Sequence, residues 1–299
     1  MIVALTGATG FVGGATLTQL LARGHRVRAL ARRAQPAQDG VAWIEGSLER
    51  EDGLARLVAG ADAVLHVAGV VSGDTAAFTR GNVEGTRNML AAATSAGVRR
   101  FVHVSSLAAR EPQLSEYGRS KQLAEAAVIG SGLDWTIVRP PGVYGPADGD
   151  MRDVFRMARL GVMLLPPAGR VSLVHVADLA RLLVVLVERA GAGETFECDD
   201  GSIGGMTHRQ LAGLIGAAVG RKPLALSLPG PLLKAAARVD RLVRGSSAKL
   251  TPDRAAYLSH PDWTADPAKR PPPELWTPQV PTPQGLVDTA AWYRARGLL

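Results

Sequence analysis

The run Thr6-Gly7-Ala8-Thr9-Gly10-Phe11-Val12-Gly13 lies between two segments of contrasting pattern. Residues 1–5 are short and apolar, which predicts a buried β-strand, and residues 14–23 are rich in Ala, Leu and Gln, which predicts a helix. A glycine-rich turn in this position lets the backbone approach a pyrophosphate, which the N–H groups at the helix N-terminus stabilise. The turn therefore predicts a dinucleotide site rather than a merely tight connection. Its candidate cofactor-binding residues are Gly7, Thr9, Gly10, Phe11, Val12 and Gly13.

Composition and charge limit the class of protein. The 299 residues are 46% hydrophobic and 20% charged, which is typical of a globular protein. The formal charge of +7 is scattered along the chain without interleaved aromatic residues, so we predict no nucleic-acid partner, and an anionic cofactor explains part of the charge. The single cysteine, Cys198, excludes an intramolecular disulfide, and we predict no metal site because no metal-ligand spacing occurs.

Hydropathy bears on the cellular location. No apolar run reaches the roughly 18–20 residues that a membrane span needs. Because residues 1–3 lead straight into the first predicted strand, we expect no secretory leader, and the single cysteine fits a reducing compartment. We therefore expect a cytoplasmic protein that acts on a small molecule.

Apolar strands alternate with helices along the first half of the chain. After the first helix, strands are predicted at residues 25–31, 41–44, 63–67 and 101–104, and helices at Glu51–Val58 and residues 78–96. This alternation predicts an α/β fold with a doubly wound parallel sheet and a functional site at the carboxyl ends of the strands. Ala68 and Gly69, just beyond the strand at residues 63–67, are small enough to let a cofactor lie against the strand end.

The end of the strand at residues 25–31 is expected to meet the adenosine ribose. An acid there accepts the 2′-hydroxyl of NAD, whereas arginine suits the 2′-phosphate of NADP. Ala31 occupies this position, followed by Arg32 and Arg33. The sequence therefore favours NADP, with NAD and a solvated basic turn as alternatives.

A tyrosine and a lysine follow the strand at residues 101–104. Ser115 is the expected N-cap of a helix on which Tyr117 and Lys121 share one face, because they are four residues apart. A neighbouring ammonium group should lower the pKa of the phenol and make it a general acid and base. Ser106, at the end of the preceding strand, could hydrogen-bond the same substrate oxygen. The alternative is a half-buried tyrosine beside a surface lysine.

These residues resemble the motifs of the extended short-chain dehydrogenase/reductase family, which includes NAD-dependent epimerases and dehydratases. The resemblance covers about the first 180 residues. Its motifs are the glycine turn, Asn82-Val83-Glu84-Gly85-Thr86, Val104-Ser105-Ser106, Tyr117-x-x-x-Lys121, Arg139-Pro140-Pro141-Gly142-Val143-Tyr144-Gly145-Pro146 and Val174-His175-Val176-Ala177-Asp178-Leu179.

The resemblance implies a Rossmann domain, residues 1–146 with 168–190 returning to it, and a smaller, mainly helical substrate-binding region, residues 147–167 and 191–299. It implies that Tyr117 is the acid/base, that Lys121 activates it and binds the ribose, and that Ser106 holds the substrate oxygen. The remaining residues assigned by resemblance are Asn82 in the catalytic group, Ser47 and Leu48 near the adenine, and Pro140 and Val143 at the nicotinamide. It is also compatible with a homodimer.

Departures from the family pattern bear on the reaction. Gly142 stands where nucleotide-sugar members carry Asn, Ser47 stands where the family often has Asp, and Val104 and Ser105 replace the residues usual in dehydratases. We therefore expect an NAD(P)-dependent oxidoreductase that moves a hydride between nicotinamide and a carbonyl or secondary alcohol of a small, apolar substrate. The alternatives are an epimerase or dehydratase that retains NAD, and a non-catalytic NAD(P)-binding module.

Other residues are assigned structural roles. We expect His175 to be structural, Asp178 to cap a helix at residues 179–189, and His66 and His103 to lie in the core. Residues 229–244 predict a basic amphipathic helix in the substrate-binding region. The alternatives to a helix with a solvated face are a lid over the substrate and a patch that contacts a membrane surface. Residues 250–283 are expected to cover the site.

Overall fold

The computed structural model describes residues 1–189, 193–245 and 250–299, and in the helix at 230–244 it leaves the side chains of Lys234, Arg241 and Val243 undescribed. The predicted domain boundary between residues 190 and 191 and part of the predicted amphipathic pattern thus lie outside the described residues.

The strands, in chain order, are β1 (Ile2–Thr6), β2 (Arg26–Ala31), β3 (Val41–Glu45), β4 (Ala63–His66), β5 (Arg100–Val104), β6 (Asp134–Arg139), β7 (Gly142–Tyr144), β8 (Val162–Leu165), β9 (Arg170–Val171), β10 (Leu173–His175), β11 (Glu194–Glu197), β12 (Met206–Thr207), β13 (Leu224–Ser227) and β14 (Asp262–Trp263). The α-helices are α1 (Phe11–Ala22), α2 (Glu51–Val58), α3 (Thr75–Phe78), α4 (Gly85–Ser95), α5 (Glu116–Ile129), α6 (Gly149–Leu160), α7 (Val176–Glu188), α8 (His208–Ala218), α9 (Gly230–Arg244), α10 (Pro252–Leu258) and α11 (Thr282–Ala295).

Seven parallel strands form the central sheet in the order β11-β6-β5-β4-β1-β2-β3. Alternate residues of β1 serve opposite faces, since Val3 and Leu5 pack with α1 and α7 while Ala4 packs with α2 and α4. The strand order reverses between β1 and β4, which is where an open α/β sheet binds its ligand. The predicted Rossmann fold is confirmed.

Two local features differ from the sequence prediction. The helix expected at residues 78–96 is interrupted by a π-helical turn, Thr79–Glu84. Helix α7 begins at Val176 and is capped by His175, so the prediction that Asp178 caps it is wrong. Asp178 instead accepts hydrogen bonds from the backbone of Gln279 and Val280 at 3.0 and 2.9 Å, because burial requires it to find partners.

The seventh strand of the sheet also comes from beyond the predicted boundary. Strand β11 pairs with β6 although residues 191–299 are predicted to lie in the substrate-binding region. Its Glu197 is fully buried and pairs with Arg110 at 3.1 Å. A carboxylate buried this way needs charged partners, which join this edge of the sheet to the loop after β5.

The remaining elements form a second layer. Helices α6, α8 and α11 share one apolar core, and α9 packs on α10 through Leu233, Ala237 and Ala255. Among the described helices, none has the length and apolar character needed to cross a membrane.

Candidate active site

The glycine turn closes tightly around the start of α1. Gly7 has φ of +78°, and a Cβ on Gly13 would lie 2.0 Å from the Gly7 carbonyl oxygen, so only glycine fits. Gly10 is the N-cap of α1 and forms no side-chain cap, and the first turn of the helix carries no acidic residue. The first N–H groups and the positive end of the helix dipole therefore face this turn without a competing anion, which fits a pyrophosphate. Thr9, Phe11 and Val12 lie in the same turn.

The end of β4 meets the glycine turn that follows β1. The Ala68 N–H donates to Thr6 Oγ1 at 3.1 Å, and a Cβ on Gly7 would lie 2.8 Å from the Ala68 nitrogen. A Cβ on the next residue, Gly69, would lie 3.1 Å from Lys121 Nζ. The ends of β1 and β4 thus lead directly from the glycine turn to the candidate catalytic lysine, as a dinucleotide bound across the switch point requires.

The predicted adenosine side lies at the ends of β2 and β3. Arg32 and Arg33 follow β2 and are exposed, so both guanidinium groups can reach an anion. Ser47 Oγ accepts from the Glu49 N–H at 3.3 Å. The Leu48 carbonyl accepts from Asn88 Nδ2 at 2.8 Å, which fixes this loop against α4.

Tyr117, Lys121 and Ser106 come together at the carboxyl end of β5. Ser115 caps α5 by accepting from the Gly118 N–H at 3.0 Å. Lys121 is buried, and its ammonium group donates to the Val104 carbonyl at 3.1 Å. Ser106 Oγ accepts from the Ala108 N–H at 3.2 Å, and Ser106 lines the same cavity as Tyr117. The sequence prediction that these three residues converge agrees with this geometry.

The electrostatics of the pair differ from the prediction. Burial raises the pKa of Tyr117, and the hydrogen bond from Ser106 opposes that shift. Burial also lowers the pKa of Lys121 to about 8, while the carboxylate of Glu125 raises it. The expected lowering of the Tyr117 pKa by Lys121 is therefore wrong for this arrangement, because desolvation of the phenol is the largest cause of its shift and Lys121 is not among the causes.

Asn82 lies in the π-helical turn and is fully engaged. Its Oδ1 accepts from the Val70 N–H at 2.6 Å, and its Nδ2 donates to the Val70 carbonyl at 2.9 Å and to Ser120 Oγ at 2.9 Å. The side chain thus ties the segment after β4 to α5. The three contacts given for the Asn82 amide are thus with Val70 and Ser120 and not with Tyr117.

The predicted nicotinamide side lies between β6 and β7. The Pro140 carbonyl accepts from the Leu107 N–H at 3.1 Å, which holds it beside Ser106. Val143 lies in β7 and pairs with Val174 of β10. Pro141, between them, faces the candidate substrate cavity.

A cavity of about 200 Å³ opens against Ser106 and Tyr117. Its walls come from both layers of the fold. The further lining residues are Val71, Ser72, Gly73, Phe78, Ser115, Pro141, Asp150, Thr251, Asp253, Arg254 and Tyr257. Sequence reasoning gave no residue-level signal for Asp150 or the α10 residues, although residues 250–283 were expected to cover the site.

Contacts between the layers hold the α10 wall in place. Asp253 Oδ1 accepts from the Glu116 N–H, at the start of α5, at 2.6 Å. The Tyr257 ring stacks on Trp263 with centroids 4.4 Å apart. These contacts fix α10 over the N-terminus of the helix that carries Tyr117.

A chain of buried charges lies behind Lys121. Glu125, one helical turn after Lys121, accepts hydrogen bonds from Arg139 at 2.8 and 2.6 Å. Arg139 also lies 3.5 Å from Glu197. Because Glu125 is buried, its carboxyl group needs partners, and the bidentate contact with Arg139 supplies two of them. Its negative charge in turn supports the ammonium form of Lys121.

His66 and His103 lie in the core, as the sequence predicts. His66 Nδ1 lies 2.8 Å from Thr6 Oγ1 and its Nε2 lies 3.1 Å from Thr86 Oγ1. Burial holds the pKa of His66 down to about 3, so the ring is neutral. His103 stacks on it with centroids 5.4 Å apart.

The chain is similar to known proteins over its whole length. Residues 7–188 match a family model described as NAD(P)H-binding. The chain is 38% identical to a ceramide reductase of Caulobacter vibrioides (strain NA1000 / CB15N), covering 100% of this chain and 96% of the relative. It is 33% identical to a 4-hydroxy-2-methyl-3-oxo-4-farnesyl-3,4-dihydroquinoline-1-oxide ketoreductase of Stigmatella aurantiaca, over 66% of this chain and 68% of the relative.

Solved structures share the fold over the whole chain. The crystal structure of gox2253 superposes with a TM-score of 0.79 at 27% identity, covering 100% of this chain and 99% of the other. The UDP-glucose 4-epimerase of Thermus thermophilus, in complex with NAD, superposes with a TM-score of 0.73 at 22% identity, covering 98% and 99% of the two chains. The second likeness is one of fold alone.

Proposed function

The chain belongs to the NAD(P)H-binding members of the extended short-chain dehydrogenase/reductase family, and on that premise we propose that it is an NADPH-dependent reductase of a ketone in a lipid-like substrate. The observation that carries the proposal is the meeting of Ser106, Tyr117 and Lys121 beside a cavity. The full-length likeness to a ceramide reductase supports the reductase assignment and the substrate class.

Tyr117 is the proposed proton donor. Its pKa is raised by burial, so the phenol stays protonated at neutral pH and can give its proton to a carbonyl oxygen as hydride arrives at the carbonyl carbon. A bound reduced nicotinamide supplies that hydride. The Tyr117 oxygen keeps a hydrogen bond to Ser106, which stabilises the phenolate left behind.

Ser106 and Lys121 are the proposed supporting groups. The Ser106 oxygen is held by the Ala108 N–H, which leaves its own proton free for the phenol or the substrate oxygen. Lys121, anchored on the Val104 carbonyl, would place positive charge near the phenolate and hold a ribose hydroxyl. Glu125 sustains that charge from behind.

The cavity suits the reacting part of a larger molecule. About 200 Å³ is less than the roughly 300–1,000 Å³ of sites that enclose a drug-sized ligand. The α10 wall contributes hydroxyl, carboxylate and guanidinium groups that can hydrogen-bond an amide or a hydroxyl next to the ketone. We therefore propose an amide-linked, long-chain keto lipid whose hydrocarbon chains extend beyond the cavity.

The test is NADPH oxidation by the purified chain with a panel of ketones in detergent micelles. The panel contains a long-chain ketone with an adjacent amide, the same chain without the amide, a steroid ketone and a small aromatic ketone. We expect the amide-linked lipid to have the highest kcat/KM. Purified protein that carries bound NAD and turns over a nucleotide sugar without added NADPH would instead establish the epimerase or dehydratase alternative.

Cofactor choice has its own test. NADPH and NADH are titrated by nicotinamide fluorescence, and NADPH should bind more tightly. Replacing both Arg32 and Arg33 with alanine should weaken NADPH binding by about tenfold to a hundredfold, because charge-assisted contacts to the 2′-phosphate are lost. Arg26→Ala is the control, since this exposed arginine begins the same strand at its other end. Tighter NADH binding, or no loss in the double variant, would contradict the NADP assignment.

A further inference from the structure

An exposed apolar surface lies on the two-stranded parallel sheet of β8 and β13, in the second layer. Leu224 pairs in register with Val162, and Leu226 with Leu164. These four side chains and the neighbouring Leu160 are 43% to 84% exposed. We call these five residues the apolar strand face.

The other face of the same strands is ordinary core. Met163 and Leu165 are buried among α6, α8 and α11. A strand that has to bury one face carries polar residues on the other, and here both faces are apolar. Packing within the chain therefore does not account for the leucines of the apolar strand face.

Basic residues flank the apolar strand face, and no acidic residue lies beside them in the sequence. Arg159 precedes Leu160, and Arg221 and Lys222 precede Leu224; all three are exposed, and no ion pair among the described residues uses them. The Leu224 N–H donates to the Gly161 carbonyl at 2.8 Å, so both basic segments lie at the same end of the two strands. No Asp or Glu occurs at residues 154–177 or 201–239.

The next element along the chain has the same character. Helix α9 packs on α10 through Leu233 and Ala237, while Leu232, Val239 and Leu242 are exposed on its other side. Arg238 and Arg244 are exposed on the same helix. Since α10 lines the cavity beside Tyr117, one helix separates this second apolar surface from the active site.

We propose that the apolar strand face docks on a bilayer that contains anionic phospholipid. Leucine side chains flanked by arginine and lysine match the boundary between acyl chains and negatively charged headgroups. A second copy of the chain fits less well, because two such faces would bring like-charged arginines and lysines together. This docking does not depend on the proposed reaction.

The test is co-sedimentation of the whole chain with vesicles. One set is pure phosphatidylcholine, and the other contains about one part in three phosphatidylglycerol, which gives the surface a negative potential. We expect binding to the anionic vesicles at low salt, little binding to the neutral ones, and weakening in about 1 M salt through screening.

Variants locate the contact. Leu224→Ser with Leu226→Ser should weaken binding about tenfold or more through lost apolar burial, and Arg221→Ala with Lys222→Ala about fivefold for each charge. Ile129→Ser is the matched control, since this exposed side chain lies at the end of α5 and should leave vesicle binding unchanged. NADPH titration of each variant confirms that it is folded.

Two results would overturn the proposal. One is equal binding of the leucine double variant and wild type to anionic vesicles, or no binding by either. The other is a dimer in analytical ultracentrifugation that the leucine double variant abolishes, because this face would then be an interface between two copies.

Discussion

Replacing Lys121 with methionine is expected to stabilise the folded chain while it removes a proposed catalytic charge. Lys121 is only 4% exposed, and its pKa falls from an ordinary value of 10.5 to about 8. Since one pKa unit corresponds to about 1.36 kcal/mol, holding the buried ammonium charged near neutral pH costs about 3 kcal/mol. Methionine has similar length, carries no charge and fills irregular space in a core.

One loss offsets part of that gain. The variant gives up the hydrogen bond from Nζ to the Val104 carbonyl, which is 3.1 Å long and contributes about 1 kcal/mol. The attraction between Lys121 and Glu125 is already contained in the pKa of about 8, so it is not subtracted a second time. The net gain in the free energy of unfolding is therefore about 1–2 kcal/mol near pH 7, or about 2–3 °C in Tm for a chain of this length.

The stability advantage of Lys121→Met over the wild type should decrease as the pH rises. Between about pH 8 and pH 10.5 the unfolded chain keeps the Lys121 proton and the folded chain releases it. The unfolded state then binds more protons, so the stability of the wild type rises with pH across this window. The advantage of the variant should shrink there and reverse above it, because the lost hydrogen bond remains lost.

Differential scanning calorimetry near pH 7 and near pH 10 measures both effects. Lys222→Met is the control, because this lysine is exposed and its replacement should change stability by less than about 0.5 kcal/mol. A Lys121→Met variant that is less stable than wild type near neutral pH, or whose difference from wild type does not change with pH, would show that burying the Lys121 charge does not destabilise the fold.

Three other substitutions test separate parts of the site. Gly13→Ala should abolish NADPH binding in a fluorescence titration, because its Cβ would lie 2.0 Å from the Gly7 oxygen. Gly14→Ala should retain binding, since its Cβ would lie 3.4 Å from the Ala8 oxygen. Equal binding by both variants would contradict the turn geometry. Glu125→Gln should lower the free energy of unfolding in urea by about 3 kcal/mol, because Arg139 loses its bidentate partner. Adding Arg139→Met should recover part of that loss. No recovery would mean that the unpaired Arg139 does not cause the loss of stability. Ser106→Ala should raise the pKa of Tyr117, because the hydrogen bond from Ser106 lowers that pKa in the wild type. Alcohol oxidation needs the phenolate, so its pH profile should move to higher pH. A profile that stays in place would argue against Tyr117 as the base.

The sequence predicts local and periodic features well. The glycine turn, the strands beside it and the Tyr117–Lys121 spacing each depend on residues within a few positions of one another. Their order along the chain was enough to predict the doubly wound sheet, because parallel strands with crossover helices allow few topologies.

Long-range contacts explain what the sequence did not predict. The contact of Asp253 with the start of α5 spans 137 residues, and no periodicity connects the two. The four-residue spacing placed Tyr117 and Lys121 on one face but could not predict that Lys121 is buried. Nor could it predict that loss of solvent around the phenol raises the pKa of Tyr117 instead of lowering it. Asn82 belongs to a motif, yet only the structure shows that both ends of its amide bind Val70 and Ser120.

The central claim is that Tyr117 transfers the proton in a nicotinamide-dependent reduction. Its most direct test is single-turnover reduction of the best ketone by Tyr117→Phe, with NADPH affinity measured on the same preparation. We expect a rate about 10²–10⁴-fold below wild type with NADPH affinity within about twofold, since the phenyl ring preserves the packing. Wild-type turnover by this variant with NADPH bound would contradict the assignment of Tyr117 as the acid and base.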